Sequence, residues 1–182
     1  MWTPDTRLSR RKALALLPNL WTLAANGSPA DLYPTAEHWL DDRAQPFSLE
    51  RLRDRYAIVT MAYGACRRVC STSLRVMERI QGAVDSRGLQ MNFVVFGLDP
   101  AEDTPRDWAD LRALRKLDRS NWQFLTGDAH AVSDMASRLG VRYWRYGEHV
   151  MHDFRIVLVT PDGRALRAMT SFDEDPASLL PG

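Results

Sequence analysis

Two cysteines carry the clearest chemical signal in this sequence. Cys66 and Cys70 are the only cysteines among 182 residues, and they lie four positions apart. In a helical segment, residues at this spacing share a face with Cβ atoms roughly 5–6 Å apart, which permits either a disulfide or a soft metal ion held by both thiolates. A pair of buried small hydrophobic side chains is the third interpretation, because free cysteine is commonly buried. The spacing alone does not distinguish redox chemistry from metal binding.

A histidine near the cysteines would favour metal binding, and the chain has four histidines. We interpret His38 and His130 as solvated or structural side chains. His149 and His152 flank the predicted start of a strand, and an interval of three in an extended chain turns the two rings to opposite faces. His152 is nearest the strand, so it is the better candidate for a site shared with the cysteines.

The cysteine pair lies between a predicted strand and a predicted helix. Arg55–Ala62 is a short apolar run typical of a buried strand, and Ser71–Val84 has apolar residues at helical spacing. A helix N-terminus favours anions, so this junction should lower the pKa of at least one thiol. Arg67 and Arg68 add positive charge that also favours thiolate.

The rest of the sequence alternates between apolar and amphipathic segments. The predicted elements are a strand at Gln90–Leu98, a helix starting at Thr104-Pro105, a strand at Trp122–Thr126, a helix at Ala129–Leu139 ended by Gly140, and strands at Phe154–Thr160 and Arg164–Thr170 joined by the turn Pro161-Asp162-Gly163. This alternation predicts an α/β fold with a central mixed β-sheet flanked by helices. The C-terminal β-hairpin favours a thioredoxin-like arrangement over a doubly wound nucleotide-binding fold, and the GxGxxG and Walker motifs are absent from the sequence.

The first 30 residues differ in charge from the remainder. They carry four basic residues and one acidic residue, a net of +3, which leaves −2 for residues 31–182 because the whole chain carries +1. The basic start, the apolar segment Ala13–Ala25 and the small residues up to Ala30 are typical of an export signal, and Ser9–Leu14 resembles the twin-arginine motif. We therefore expect a signal at residues 1–30 and one domain at residues 31–182. An amphipathic or disordered N-terminal arm is the alternative.

Composition excludes several classes of protein. The balanced charge argues against a dedicated nucleic-acid binder, which usually carries a strongly basic face. No run of 18 apolar residues is present, so we expect no membrane span in the mature chain. Two cysteines are too few for a disulfide scaffold. Export would place the domain in the periplasm or another oxidising compartment, where one disulfide bond can persist.

Four segments form an ordered set of motifs. They are the cysteine loop YGACRRVCSTSL (Tyr63–Leu74), the aspartate-proline segment with its helix start GLDPAEDTPRDW (Gly97–Trp108), the strand WQFLTGD (Trp122–Asp128) and the histidine-bearing strand and hairpin HDFRIVLVTPDGR (His152–Arg164). In this order they resemble the SCO/SenC family of copper chaperones for cytochrome oxidase assembly. The resemblance covers about Pro46 to Arg164.

This resemblance implies a thioredoxin fold and copper ligands at Cys66, Cys70 and His152. Two thiolates suit Cu(I), and imidazole also accommodates Cu(II). Binding requires deprotonated cysteines, so oxidation to a disulfide should abolish it. The implied partner is a respiratory oxidase subunit or another cuproprotein. The chain would deliver copper to this partner or reduce its copper-site cysteines, with a thioredoxin-like protein as candidate reductant.

Other interpretations stay open from the sequence. The main rival is a thiol–disulfide oxidoreductase without a copper-carrier role, and a peroxide-reducing enzyme is the third. We interpret Asp99 as a turn-capping residue and Met61 and Tyr63 as packing residues. An aromatic and basic cluster at 142–146 predicts either a partner-docking loop or a partly buried one.

Overall fold

The computed structural model describes residues 31–34, 38–64 and 70–181, apart from the side chains of Cys70 and Ser71. The predicted signal at residues 1–30 and the predicted ligand Cys66 lie outside the described residues. The described strands are β1 (Trp39–Asp41), β2 (Pro46–Phe47), β3 (Tyr56–Ala62), β4 (Met91–Gly97), β5 (Trp122–Gly127), β6 (Tyr143–Tyr146), β7 (His149–His152), β8 (Ile156–Val159) and β9 (Ala165–Met169). The described α-helices are α1 (Cys70–Ser86), α2 (Pro105–Arg115) and α3 (Ala129–Leu139), and 3₁₀ turns span Leu49–Leu52 and Pro176–Leu179.

Seven strands form one mixed sheet in the order β2-β1-β5-β4-β3-β8-β9. Strands β3, β4 and β5 are parallel because α1 and α2 carry the chain back between them. Strand β8 runs antiparallel to β3, and β9 pairs with β8 as a hairpin at the sheet edge. The predicted mixed sheet and C-terminal β-hairpin are therefore confirmed.

The centre of this sheet is buried on both faces. In β3 and β4 nearly every residue is buried, as expected for parallel strands with covered faces. Aromatic side chains fill much of the core. Phe93 stacks on Trp122 with ring centroids 5.0 Å apart, and Trp39 meets Phe96 edge-on at 4.6 Å.

The predicted helix ends are confirmed in detail. Thr104 caps α2 through a capping box with Asp107, and Pro105 occupies the first turn, where its missing N–H costs nothing. The Asp128 carboxylate caps α3, and Gly140 ends this helix with φ = 68°, a conformation that favours glycine.

The segment before β8 differs from the prediction. The strand predicted to start at Phe154 begins at Ile156, so His149 and His152 do not flank its start. They are the end residues of β7, which pairs with β6 in a separate two-stranded sheet. All four residues of β6 are exposed, so this strand lacks the alternation of buried apolar and exposed polar residues that would predict it from the sequence. The two strands are joined by a two-residue turn in which Gly147 has φ = 59°.

Candidate metal centre

The carboxyl ends of β3 and β4 form the edge of the sheet that leads into the segment with the predicted cysteine ligands. Strand β3 ends at Ala62, and α1 begins at Cys70, so the predicted strand-to-helix junction is confirmed for the backbone. Cys66 and the Cys70 side chain lie outside the described part of the chain. The approach of the two thiols to each other therefore stays a prediction.

His152 is the one predicted ligand whose side chain is described. It is half-buried at the end of β7, and its Nδ1 lies 2.9 Å from the carbonyl oxygen of Asp153. A carbonyl only accepts hydrogen bonds, so we assign the ring proton to Nδ1, which leaves the lone pair of the neutral ring on Nε2. Burial lowers the pKa of His152, although the Asp153 carbonyl and carboxylate act in the opposite direction. The imidazole is therefore neutral at neutral pH, which is the form that binds metals.

Strand pairing brings this histidine to the same edge as the cysteine loop. Ile156, at the start of β8, pairs with Thr60 near the end of β3. The Thr60 hydroxyl donates to the carbonyl of Arg155 at 2.7 Å. The hydroxyl of Tyr63, the first residue of the cysteine loop, donates at 3.4 Å to the carbonyl of Glu148 in the β6–β7 turn. The end of β7 thus lies beside the point where the chain leaves β3.

Asp103 is a buried carboxylate at this edge, and sequence reasoning assigned it no role. Its Oδ1 accepts a hydrogen bond of 2.6 Å from the N–H of Gly64. Its Oδ2 accepts bonds of 2.7 and 2.8 Å from the N–H groups of Leu98 and Asp99. Gly64 is the second residue of the cysteine loop and the last one described before Cys66, so Asp103 connects the start of that loop to the end of β4. The sequence signal for Asp103 was its position in the motif GLDPAEDTPRDW, directly before the predicted helix start at Thr104.

Close packing around Asp103 depends on two glycines. A Cβ at Gly97 would lie 2.7 Å from the Cβ of Asp103, and a Cβ at Gly64 would lie 3.1 Å from its Oδ1. Burial raises the pKa of Asp103 to about 6, and the charge of Asp99 adds to this shift, while the three N–H donors oppose it. The loop is therefore anchored by a carboxyl group that titrates between acidic and neutral pH.

Asp99 connects the same edge to the β6–β7 hairpin. Its Oδ1 accepts from the N–H of Ala101 at 3.1 Å, which confirms the predicted turn-capping role. Its Oδ2 also accepts a bond of 2.6 Å from Nη2 of Arg145 in β6, which the sequence did not indicate. The Asp99 side chain is 3% exposed and that of Arg145 is 59% exposed. This ion pair holds the hairpin that carries His152 against the end of β4.

The other residues singled out in the sequence do not join the site. Met61 and Tyr63 are buried, as predicted for packing residues, and His38 and His130 are exposed on the surface. The interpretation of the aromatic and basic cluster as partly buried is wrong, because every residue of β6 is exposed.

The described side chains alone do not complete a metal site. Among them, no group of three or more His, Cys, Asp or Glu residues is placed to hold a metal ion. The set Cys66, Cys70 and His152 therefore stays a prediction. Within the described ranges, no helix combines the length and the hydropathy needed to cross a bilayer.

The sequence matches a known family over most of its length. Residues 35–180 match the model of the SCO1/SenC family. A relative from Stutzerimonas stutzeri, named as a copper-binding protein, is 31% identical over 130 residues. The match covers 68% of this chain and 62% of that protein, so this chain spans less than two thirds of the relative's length.

Solved structures establish the same fold. The copper-bound structure of ScoI from Arabidopsis thaliana is similar with a TM-score of 0.69 and 19% identity, over 79% of this chain and 90% of that one. BsSco is described as a member of the Sco family of cytochrome c oxidase assembly proteins with a disulfide switch. It is similar with a TM-score of 0.69 and 21% identity, over 83% of this chain and 90% of that one. The predicted thioredoxin-like fold is therefore confirmed.

Proposed function

This chain belongs to the SCO1/SenC family, and from that premise we propose that it binds copper and supplies it to a respiratory oxidase subunit or another cuproprotein. The name of the Stutzerimonas relative and the copper-bound structure of ScoI support copper as the cargo. The described geometry supports the same conclusion, because it presents a neutral imidazole at the edge where the cysteine loop begins.

The ligands in this proposal are Cys66, Cys70 and His152. The observation that carries it is the bond from Nδ1 of His152 to the Asp153 carbonyl, which orients the ring and places its proton on Nδ1. Two thiolates give the site its preference for Cu(I), and the imidazole makes Cu(II) acceptable as well. Oxidation of the cysteines to a disulfide removes both thiolates and releases the copper.

The same cysteines support a second function, the reduction of disulfides at a partner's copper site. The disulfide switch described for BsSco favours keeping this candidate. In this reaction one thiolate of the pair attacks the partner disulfide, forms a mixed disulfide and displaces one partner thiolate. The second cysteine then attacks this mixed disulfide, which releases the other partner thiolate and leaves Cys66 and Cys70 joined as a disulfide. A thioredoxin-like dithiol reduces this disulfide again.

Copper titration of the reduced chain tests the first function. With a competing Cu(I) chelator present, we expect the wild type to bind one copper ion per chain at the proposed site. His152→Ala should weaken this binding by about 100-fold or more, since loss of a group that only supports a ligand already costs about 10–100-fold. The matched control is His130→Ala, which removes an exposed histidine on α3 and should bind like the wild type.

Two outcomes separate the candidate functions. Failure of the reduced wild type to bind copper at the cysteines would overturn the copper function. Turnover of a protein disulfide by that same sample, retained in His152→Ala and lost in Cys66→Ala, would then support a thiol–disulfide oxidoreductase.

We also propose that residues 1–30 direct export to the periplasm and that residues 31–182 form the working domain. The support is the twin-arginine-like sequence at Ser9–Leu14 and the charge difference between the two parts. In a bacterial host, we expect the exported chain to lack the N-terminal segment when its first residues are sequenced. Replacement of Arg10 and Arg11 by Lys should retain the protein in the cytoplasm, and the control Arg7→Lys should not. An uncleaved wild-type chain in the cytoplasm would contradict this proposal.

A further inference from the structure

The β6–β7 hairpin has two faces of different character. Paired residues share a face, and neighbours along a strand alternate between faces. The pairs Trp144–Met151 and Tyr146–His149 therefore lie together on one face, opposite the face that carries His152. This grouping of Trp144, Tyr146, His149 and Met151 is called the outer face here.

The outer face is turned to solvent because the other face packs on the domain. On the packed face, Val150 is 6% exposed, and its cross-strand partner Arg145 reaches the buried carboxylate of Asp99. On the outer face, Met151 is 41% exposed and Trp144 is 50% exposed. His149 is also exposed.

The exposure of Met151 is exceptional among the described methionines. Each of the others is at most 3% exposed: Met61, Met77, Met91, Met135 and Met169. Those five fill the core, which is the usual use of this flexible side chain. Met151 fills no part of the core, so packing does not account for a sulfur atom at this position.

The chemistry of the outer face suits a soft cation. His149 and Met151 are two positions apart on one strand, so their Cα atoms lie about 6.6 Å apart and both side chains project to the same side. Thioether sulfur and imidazole nitrogen are both ligands for Cu(I). Trp144 stands directly across from Met151, within about 5.5 Å between Cβ atoms, and an indole ring attracts a cation that lies over its face.

We propose that His149 and Met151 form a second binding site for Cu(I), bounded by the indole of Trp144, on the outer face of the strand that carries His152. The site has two neutral ligands and lies open to solvent, so it binds copper more weakly than a site with two thiolates. Binding of Cu(I) at this second site does not depend on Cys66 or Cys70.

A role in transfer rests on the proposed function. Copper held at the outer face lies on the strand whose opposite face carries His152, the described ligand of the proposed primary site. Movement between the sites is ligand exchange without a change in oxidation state. The bonds from copper to His149 and Met151 break as those to the thiolates and His152 form, and the reverse exchange releases it.

The test uses the full chain with Cys66→Ser and Cys70→Ser, titrated anaerobically with Cu(I) in the presence of a weak competing ligand. We expect saturable binding of one ion per chain. Of the described tryptophans, Trp39, Trp108 and Trp122 are at most 1% exposed, and Trp2 and Trp21 lie outside the described residues. Quenching of fluorescence by an ion beside Trp144 should therefore be present in the wild type and lost in Trp144→Phe. In ¹³C-methyl-methionine spectra, the resonance of Met151 should shift while the core methionines do not.

Matched variants in the cysteine-free chain locate the ion. Met151→Leu keeps the apolar bulk without the sulfur, and His149→Gln keeps a polar side chain without the imidazole. Each should lower the affinity about tenfold or more. His130→Gln removes an exposed histidine on α3 and should have no effect. Wild-type chain with alkylated cysteines repeats the titration in case the double serine variant does not fold.

The outcomes distinguish this site from the proposed function. No saturable binding in both cysteine-blocked samples, or unchanged affinity in Met151→Leu and His149→Gln, would overturn the second site. Binding in the cysteine-blocked chain, together with failure of the reduced wild type to bind copper at its cysteines, would overturn the proposed function and leave this site standing.

Discussion

At the scale of single residues, Asp103 and His152 both lie near the ends of β3 and β4, and their pKa values are shifted in opposite directions. Burial raises the pKa of Asp103 to about 6 and lowers that of His152. Both shifts favour the neutral form, because water solvates a charge better than the protein interior does. The carboxyl anchors the start of the cysteine loop, and the imidazole keeps its lone pair at neutral pH.

The raised pKa of Asp103 predicts a pH-dependent contribution to stability. Its folded pKa of about 6 exceeds the ordinary value of 3.8, so the stabilising contribution is full below pH 3.8 and is lost as the pH rises through 6. When the pH is lowered from 7.5 to 5, this group should therefore increase the free energy of unfolding by about 1.4 kcal/mol. In Asp103→Asn that increment should be absent. Urea unfolding of both proteins at the two pH values measures it.

His152 must be separated from this effect, because its lowered pKa acts in the opposite sense. Its contribution is present above the ordinary value of 6.5 and is lost as the pH falls toward the folded value. Both proteins contain this histidine, so its effect cancels when wild type and Asp103→Asn are subtracted at each pH. A difference between the two proteins that is the same at pH 5 and pH 7.5 would contradict the assignment to Asp103.

At the scale of elements, the β6–β7 hairpin is held by few contacts. Its strands are short, and one of its faces is open to solvent. The ion pair of Arg145 with Asp99 and the bond from Tyr63 to Glu148 connect it to the sheet edge. Its position relative to the cysteine loop therefore depends on individual side chains more than on a shared apolar core.

Arg145→Ala tests this connection. The substitution leaves the buried Asp99 carboxylate without its guanidinium partner, although the exposed end of Arg145 limits the loss. We expect the hairpin to open more readily by about 1 kcal/mol, which is about fivefold faster amide exchange at Met151 and Asp153. The N–H of Asp153 donates to the carbonyl of Arg142 at 2.9 Å, and Met151 occupies the next hydrogen-bonded position of the ladder. The control is Arg106→Ala, whose side chain is 90% exposed and lies 4.0 Å from Asp110. Equal exchange rates in the two variants would show that the ion pair does not hold the hairpin.

At the scale of the whole molecule, β1 joins the sheet beside β5, a strand far from it in the sequence. Trp39 pairs with Gly127 of β5, and its ring covers the position where a side chain at Gly127 would project. The same ring packs against Phe96 of β4. The first described strand is thus locked into the core through a contact with a residue 88 positions later in the chain.

Gly127→Ala should destabilise the whole domain. A Cβ at this position would lie 2.6 Å from the Trp39 ring, so the ring must move within a packed core, at a cost of about 1–3 kcal/mol. The matched control is Gly82→Ala in α1, where a Cβ meets nothing within 4 Å and the helix should gain about 0.5–1 kcal/mol. The urea midpoints of the two variants should shift in opposite directions. A wild-type midpoint for Gly127→Ala would contradict the close packing of β1 on β5.

Local patterns in the sequence predicted the elements that local forces decide. The apolar runs of β3 and β4 and the caps of α2 and α3 act over a few residues, and the structure places these elements within two positions of the prediction. Short strands without apolar periodicity, β1, β2, β6 and β7, escaped prediction. The family and its implied ligand set came from ordered motifs, since cysteine spacing alone leaves redox and metal chemistry open.

The sequence by itself thus determined the fold class, the cysteine loop and the histidine on which the proposed site depends. Only the tertiary structure decided how the edge of the sheet is assembled around them. Asp103 bonds to a residue 39 positions earlier, and Asp99 pairs with an arginine 46 positions later. The hydrogen-bond donors near a buried carboxylate depend on which strands are neighbours in the sheet. Packing of the whole sheet sets that strand order.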